Sequence, residues 1–214
     1  RDHIELPKDQ ELFIEEAYKL NPKMAVVLVA GSSLAINWID QNIPAVLDAW
    51  YPGEQGGTAV AEALFGDYNP GGRLAVTFPK SVGQIPFAFP FKPGSDESSS
   101  TSVYGVLYPF GHGLSYTTFS YGDLKISPLR QGVQGDINIS CKIKNTGKIK
   151  GDEVVQLYLR DEVSSVTTYT KVLRGFERIS LEAGEEQMVH FRLRPQDLGS
   201  VSYTHLRAHE TTLH

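Results

Sequence analysis

Several residue groups in this 214-residue chain have types and spacing from which chemistry could be built. Gly53, Gly56 and Gly57 surround Glu54-Gln55 and could let backbone N–H groups close on a phosphate, but the lysine and hydroxyl residue that complete a P-loop are absent. Their expected use is close packing of a helix on a sheet. Asp67, Asn69 and Gly71 alternate as in a calcium loop, yet Phe78 stands where the bidentate glutamate is required, so a capped turn is expected instead. Ser32 and Ser33 follow an apolar run as a nucleophile would, without the G-x-S-x-G elbow that presents a serine for attack. Trp38 and Trp50 have ring faces suited to the C–H face of a sugar, but both lie inside apolar elements and read as core. Cys141 is the one cysteine and cannot form an internal disulfide; it alternates with inward isoleucines and reads as an inert core thiol. No metal or other cofactor is expected from these groups.

The elements that must position these residues follow from periodicity. A net charge of −5 leaves no basic face to neutralise phosphates, which argues against nucleic acid as a partner. The longest apolar run, residues 24–30, is far short of the roughly 20 residues of a membrane span, so no bilayer crossing is expected. The opening RDHIELPKDQ lacks the cationic start and apolar core of a signal peptide. An amphipathic helix is predicted over 8–20, with Leu12, Phe13, Ala17 and Leu20 on one face. Residues 24–30 read as a strand covered on both faces, as in a parallel sheet. A short helix at 34–41, a strand at 45–50, a helix at 58–65 with Val60, Ala63 and Leu64 inward, and a third strand at 73–78 complete a β-α-β-α-β order, hence an α/β domain with a mostly parallel sheet.

Residues 79–108 form a long connection with aromatic flanks and a serine-rich tip, whose ends are expected to be pinned. Beyond it the period switches to two. Ile137, Ile139, Cys141 and Ile143 alternate with polar neighbours, as do Val155, Leu157 and Leu159, and Val189, Phe191 and Leu193. Asn145-Thr146-Gly147 and Glu182-Ala183-Gly184 supply turns between runs. The expected result is a small all-β sandwich of immunoglobulin or fibronectin type III kind.

Three strings in order carry a resemblance: AWYPGEQGGTAVAEALFGDYNPGGRLAVTFP at 49–79, YPFGHGLSYTTF at 108–119, and GDEVVQLYLRD at 151–161 followed by LRGFERISLEAGE at 173–185. Together they resemble the C-terminal half of glycoside hydrolase family 3, over about residues 1–199. The resemblance implies a retaining enzyme that removes terminal β-linked glucosyl or xylosyl residues from an oligo- or polysaccharide-derived β-glycoside. It implies an N-terminal barrel domain, absent from this chain, carrying an aspartate nucleophile. It also implies an α/β domain that often supplies the acid/base glutamate, and a fibronectin type III-like domain. On this basis residues 1–118 are the α/β part, including the loop 79–108, and 119–200 a sandwich without its last strands.

In many members the acid/base glutamate stands a few residues before an Asp-Arg pair that leads to Leu-Pro. Here Arg1 and Leu6-Pro7 match the end of that pattern, which implies a glutamate just upstream, no catalytic residue in this chain, and Arg1 as a substrate-binding residue that contacts sugar hydroxyls in the whole protein. Asp2 and Glu5 do not occupy the matching position. His112 stands between two glycines where the family usually has tyrosine; a packing role in a tight turn is expected, with contact to sugar or barrel as the alternative. The resemblance favours a periplasmic or secreted protein. The rival reading is a non-catalytic carbohydrate-binding or structural module. The last stretch, VSYTHLRAHET at 201–211, resembles translated sequencing adapter, so residues 201–214 are read as a non-native tail and the metal-like spacing of His205, His209 and His214 is set aside.

Overall fold

The structure is a computed structural model, and it describes residues 3–85, 89–94, 103, 105–129, 135–164 and 166–199. The chain forms two compact units. The first comprises residues up to Tyr68 together with Leu74–Phe89 and Gly94–His112; the second takes Asn69–Arg73, Pro90–Pro93 and the chain from Gly113 onward.

In the first unit, helix α1 spans Lys8–Leu20, with Asp9 and Glu11 in its first turn and Lys19 in its last, each of the sign that the helix dipole favours. Strand β1, Ala25–Leu28, pairs in parallel with β2, Ala45–Asp48, and the short helix α2, Asn37–Asn42, lies between them in sequence. The core gathers Val26 and Leu28 with Leu34, Ile36, Ile39 and Ile43. Ile39 is fully buried. Helix α3, Gly56–Phe65, ends at Gly66, whose φ of 86° is the left-handed conformation that glycine adopts without strain.

Two expectations are corrected here. The apolar face of α1 is not its packing face: Phe13 is 73% and Leu20 89% exposed, while Ile14 and Tyr18 touch the core. The third parallel strand does not form. Instead Leu74 and Phe78 exchange backbone hydrogen bonds with Gly111, His112, Leu107 and Tyr108, because the returning end of the long connection offers the nearer partners.

The connection is held where its described residues allow. Gln84 is 3% exposed; its Oε1 accepts from Lys80 N at 2.8 Å and its Nε2 donates to Gly105 O at 2.8 Å. Phe89 stacks on Phe110 at 4.4 Å. The serine-rich tip at 95–102 lies outside the described residues.

The second unit is a sandwich of two antiparallel sheets. One contains β3 (Phe119–Ser127), β4 (Ile137–Asn145) and β7 (Glu186–Leu193) in the order β3-β4-β7; the other pairs β5 (Gly151–Leu159) with β6 (Val172–Leu181). A short helix, α4, follows at Pro195–Leu198. Of the residues that period-two alternation put inside, Ile143 and Val189 are fully buried, Ile137, Ile139, Val155, Leu159 and Leu193 nearly so, and Cys141, Leu157 and Phe191 partly; Leu181 of β6 is buried with them. The unit also buries a polar cornerstone. Asn145 Nδ2 donates to Ile149 O and Leu181 O, and its Oδ1 accepts from Thr117 Oγ1 and Gly147 N, so both amide hydrogens and both oxygen lone pairs are used.

Two outcomes are expected. Asn145→Ala strands four partners, of which Thr117 and Leu181 are buried, and lowers the stability of the second unit by about 3 kcal/mol, read as a shifted urea midpoint; a loss under about 1 kcal/mol contradicts the cornerstone role. Gln84→Ala releases both ends of the connection, and limited proteolysis then cleaves residues 79–108 several times faster than in the parent chain.

Candidate functional site

The carboxyl ends of parallel strands are where α/β folds place ligands, so the residues after β1 and β2 are the first place to look. Gly31 follows β1, and a Cβ there would lie 2.3 Å from the Tyr51 ring, so the two loops touch closely. Ser32 and Ser33 sit in the same bend, without a nucleophile elbow. Asp48 ends β2: its Oδ1 accepts from Trp50 N at 3.2 Å, and its Oδ2 is buried with no partner among the described residues. Burial raises its pKa. Trp50 has a φ of 51°, unusual for a large side chain, and its ring packs edge-on against Phe78 at 6.1 Å. Trp38 packs in the same manner on Tyr18 at 5.7 Å. Both tryptophans are used for packing.

A cavity of about 430 Å³ lies beside β1. Its wall is the strand from Val26 to Ala30 with Leu34, the side chains Gln10 and Ile14 of α1, the segment His3, Glu5, Leu6 and Pro7, and Tyr51; no residue of β2 contributes. It is a trough along the strand edge that β2 does not use. The first carboxylate among the described residues, Glu5, lies 3.8 Å from His3 and accepts from Ile4 N, so it is bound up with its own segment. Among the described residues, none here form the facing carboxylate pair that glycoside cleavage needs. Arg1 and Asp2, and likewise His205, His209 and His214, lie outside the described residues.

The glycine-rich turn is not a phosphate cradle. Gly53 turns the chain at φ 73°, Gly56 packs against the Pro52 ring of that same turn, and Gly57 faces open space, so their expected role in helix-to-sheet packing is met by none of the three. Cys141 is half-buried, its thiol donating to Gly122 O at 3.3 Å. His112 stacks on Tyr108 at 5.0 Å with ring planes 11° apart, and its N donates to Pro109 O, which is the packing role in a tight turn. Tyr108 in turn donates to Asp40 at 2.6 Å; burial, and then that carboxylate, push its pKa well above the ordinary range.

The densest polar arrangement was not singled out from the sequence. Glu153 is 7% exposed, pairs with Arg73 Nη2 at 2.5 Å and accepts from Tyr121 Oη at 2.7 Å. Burial, then the bond to Glu153, raise the Tyr121 pKa. Asn69, expected in a capped turn, donates to Lys150 O and accepts from Ser115 Oγ and Tyr116 N. Only the arginine in GDYNPGGR pointed to any of this, and it reads as a strand start.

Comparison with known proteins explains the mixture of ordered packing and missing chemistry. Residues 1–116 match the glycosyl hydrolase family 3 C-terminal domain and residues 153–211 a fibronectin type III-like domain. A β-xylosidase of Formosa agariphila is 44% identical over 197 residues, which are 90% of this chain and 27% of that protein. A periplasmic β-glucosidase of Salmonella typhimurium is 37% identical over 95% of this chain and 28% of its own length. Among solved structures, a β-glucosidase from Erythrobacter marinus superposes with a TM-score of 0.92 at 42% identity, over 98% of this chain and 28% of that one. A β-glucosidase from Listeria innocua in complex with glucose gives 0.84 at 30% identity, over 92% and 29%. The chain therefore spans little more than a quarter of the length of these relatives. With more than half of its residues matching the family's C-terminal domain, this chain belongs to glycosyl hydrolase family 3.

Proposed function

We propose that the whole protein of which this chain is a part hydrolyses terminal β-linked glucosyl or xylosyl residues with net retention, and that this chain is its C-terminal scaffold. The carrying observation is the pattern of likeness: β-xylosidases and β-glucosidases match nearly all of this chain with little more than a quarter of themselves. Retention requires two carboxyl groups about 5–5.5 Å apart, one to attack the anomeric carbon and one to protonate the leaving oxygen and then activate water. Both are assigned to residues outside this chain, the nucleophile to an N-terminal barrel and the acid/base to a position shortly before Arg1. Arg1 is assigned to sugar hydroxyls in the whole protein.

The open side of β1 supports this scaffold role. A two-stranded sheet is marginal alone, and here the trough beside β1 and the exposed Phe13 and Leu20 of α1 are surfaces that further chain would cover. The rival reading, a carbohydrate-binding module, finds less support: the aromatics at the ends of the long connection are spent on one another, Phe89 on Phe110 and Tyr108 on His112.

The 214-residue chain alone is expected to release no nitrophenol from aryl β-glucoside or β-xyloside above a buffer control. The whole protein is expected to release it, with the β-anomer of the sugar appearing first by NMR. Turnover by the short chain, or α-anomer first from the whole protein, contradicts the assignment.

A further inference from the structure

Residues 69–73 have no regular secondary structure, yet Asn69 and Arg73 make several side-chain contacts with the rest of the second unit. The Asn69 carboxamide is read at both ends: Nδ2 donates to Lys150 O at 2.9 Å, while Oδ1 accepts from Ser115 Oγ at 2.9 Å and Tyr116 N at 2.8 Å. An aspartate would set oxygen against oxygen at Lys150. Four residues on, Arg73 reaches Glu153 at 2.5 Å with one guanidinium nitrogen and caps the carbonyls of Gly71 and Gly72 with the other. The two side chains of the pair are 12% and 9% exposed.

Between these anchors the backbone lies so close to the sandwich that glycine is required on both sides. A Cβ on Gly71 would meet Asp152 Cβ and O at 2.9 Å; one on Gly113 would lie 2.2 Å from Gly72 O; one on Gly151 would lie 2.8 Å from Asn69 Nδ2. Shape, an amide reader and a buried carboxylate therefore converge on one five-residue segment. These are the features of a peptide-binding notch rather than of a loop that happens to rest on a sheet.

We propose that the start of β5 and residues 113–116 form a receptor notch for an Asn-x-Gly-Gly-Arg segment, and that residues 69–73 fill it as an intramolecular ligand on which the sandwich depends. Without the Arg73 guanidinium, the Glu153 carboxylate keeps Tyr121 as its one hydrogen-bond partner among the described residues, and removing one partner of a buried pair is strongly destabilising. The inference stands independently of the hydrolase reading.

The test uses the full 214-residue chain. Arg73→Met is expected to raise the unfolding equilibrium constant of the second unit by about 100-fold or more, measured by urea denaturation and hydrogen exchange of amides in β4, β5 and β7. Arg73→Met combined with Glu153→Met is expected to cost less than Arg73→Met alone, since the stranded charge is gone; two losses that simply multiply overturn the anchor. If Arg73→Met does not fold, Arg73→Lys is measured instead, and stability equal to the parent chain's overturns the forked recognition. For binding, the Asn69→Ala/Arg73→Met chain is given the peptide GDYNPGGRLA at millimolar concentration. Recovery of amide protection at 150–156, not produced by a scrambled peptide, supports the notch; no recovery overturns it.

Discussion

A carboxylate held away from water dictates much of the second unit. Desolvating Glu153 is affordable only because an arginine and a tyrosine hydroxyl take one oxygen each, and neither partner is its neighbour in sequence. Arg73 comes from a segment eighty residues earlier, Tyr121 from β3. To let Arg73 arrive, backbone must pass backbone at distances that exclude a side chain, which places Gly71 and Gly113 where they are. The amide of Asn69 fixes the other end of that segment. The sandwich is thus a discontinuous unit, assembled from Asn69–Arg73, Pro90–Pro93 and the chain from Gly113 onward, rather than one that begins at its first strand.

Asn145 plays a comparable part close by, at the end of β4 where the chain turns into β5. A buried neutral amide is cheaper to hold than a charge, and its four hydrogen bonds tie the β4–β5 turn, the end of β6 and the residues that precede β3. Around these two polar fixtures stands the isoleucine, valine and leucine core, whose buried face also specifies the register of the strands. Gly175, beside which Phe191 packs closely, marks the irregularity in the β5–β6 pairing.

The first unit is organised differently. Its core is built from β1, α2 and the residues between them, and its two strands are too few to cover themselves. Phe13 and Leu20 of α1 are exposed, the trough beside β1 is open, and the chain matches little more than a quarter of the length of its relatives. The chemistry of the family requires facing carboxylates, and the described residues present packed aromatics, turns and lone acids in their place.

Period-two alternation was enough to place the inward residues of β4, β5 and β7, because a strand with one face buried leaves no choice of which side chains go in. The family strings were equally legible, since they are long and fall in order. Periodicity misjudged α1, where Leu12, Phe13 and Leu20 form a valid apolar face that the described core does not use; which face packs is settled by what stands beside the helix. It misjudged 73–78 as well, because a strand needs a partner and the nearest partner came from the far end of the long connection. Most of all, it was silent on Asn69, Arg73 and Glu153: a turn former, a strand-start arginine and an acid in an alternating run carry no mark of one another. Their contacts arise only when the chain is folded: the Arg73–Glu153 pair depends on water being kept from both side chains, and Asn69 finds Lys150, Ser115 and Tyr116 from distant parts of the chain.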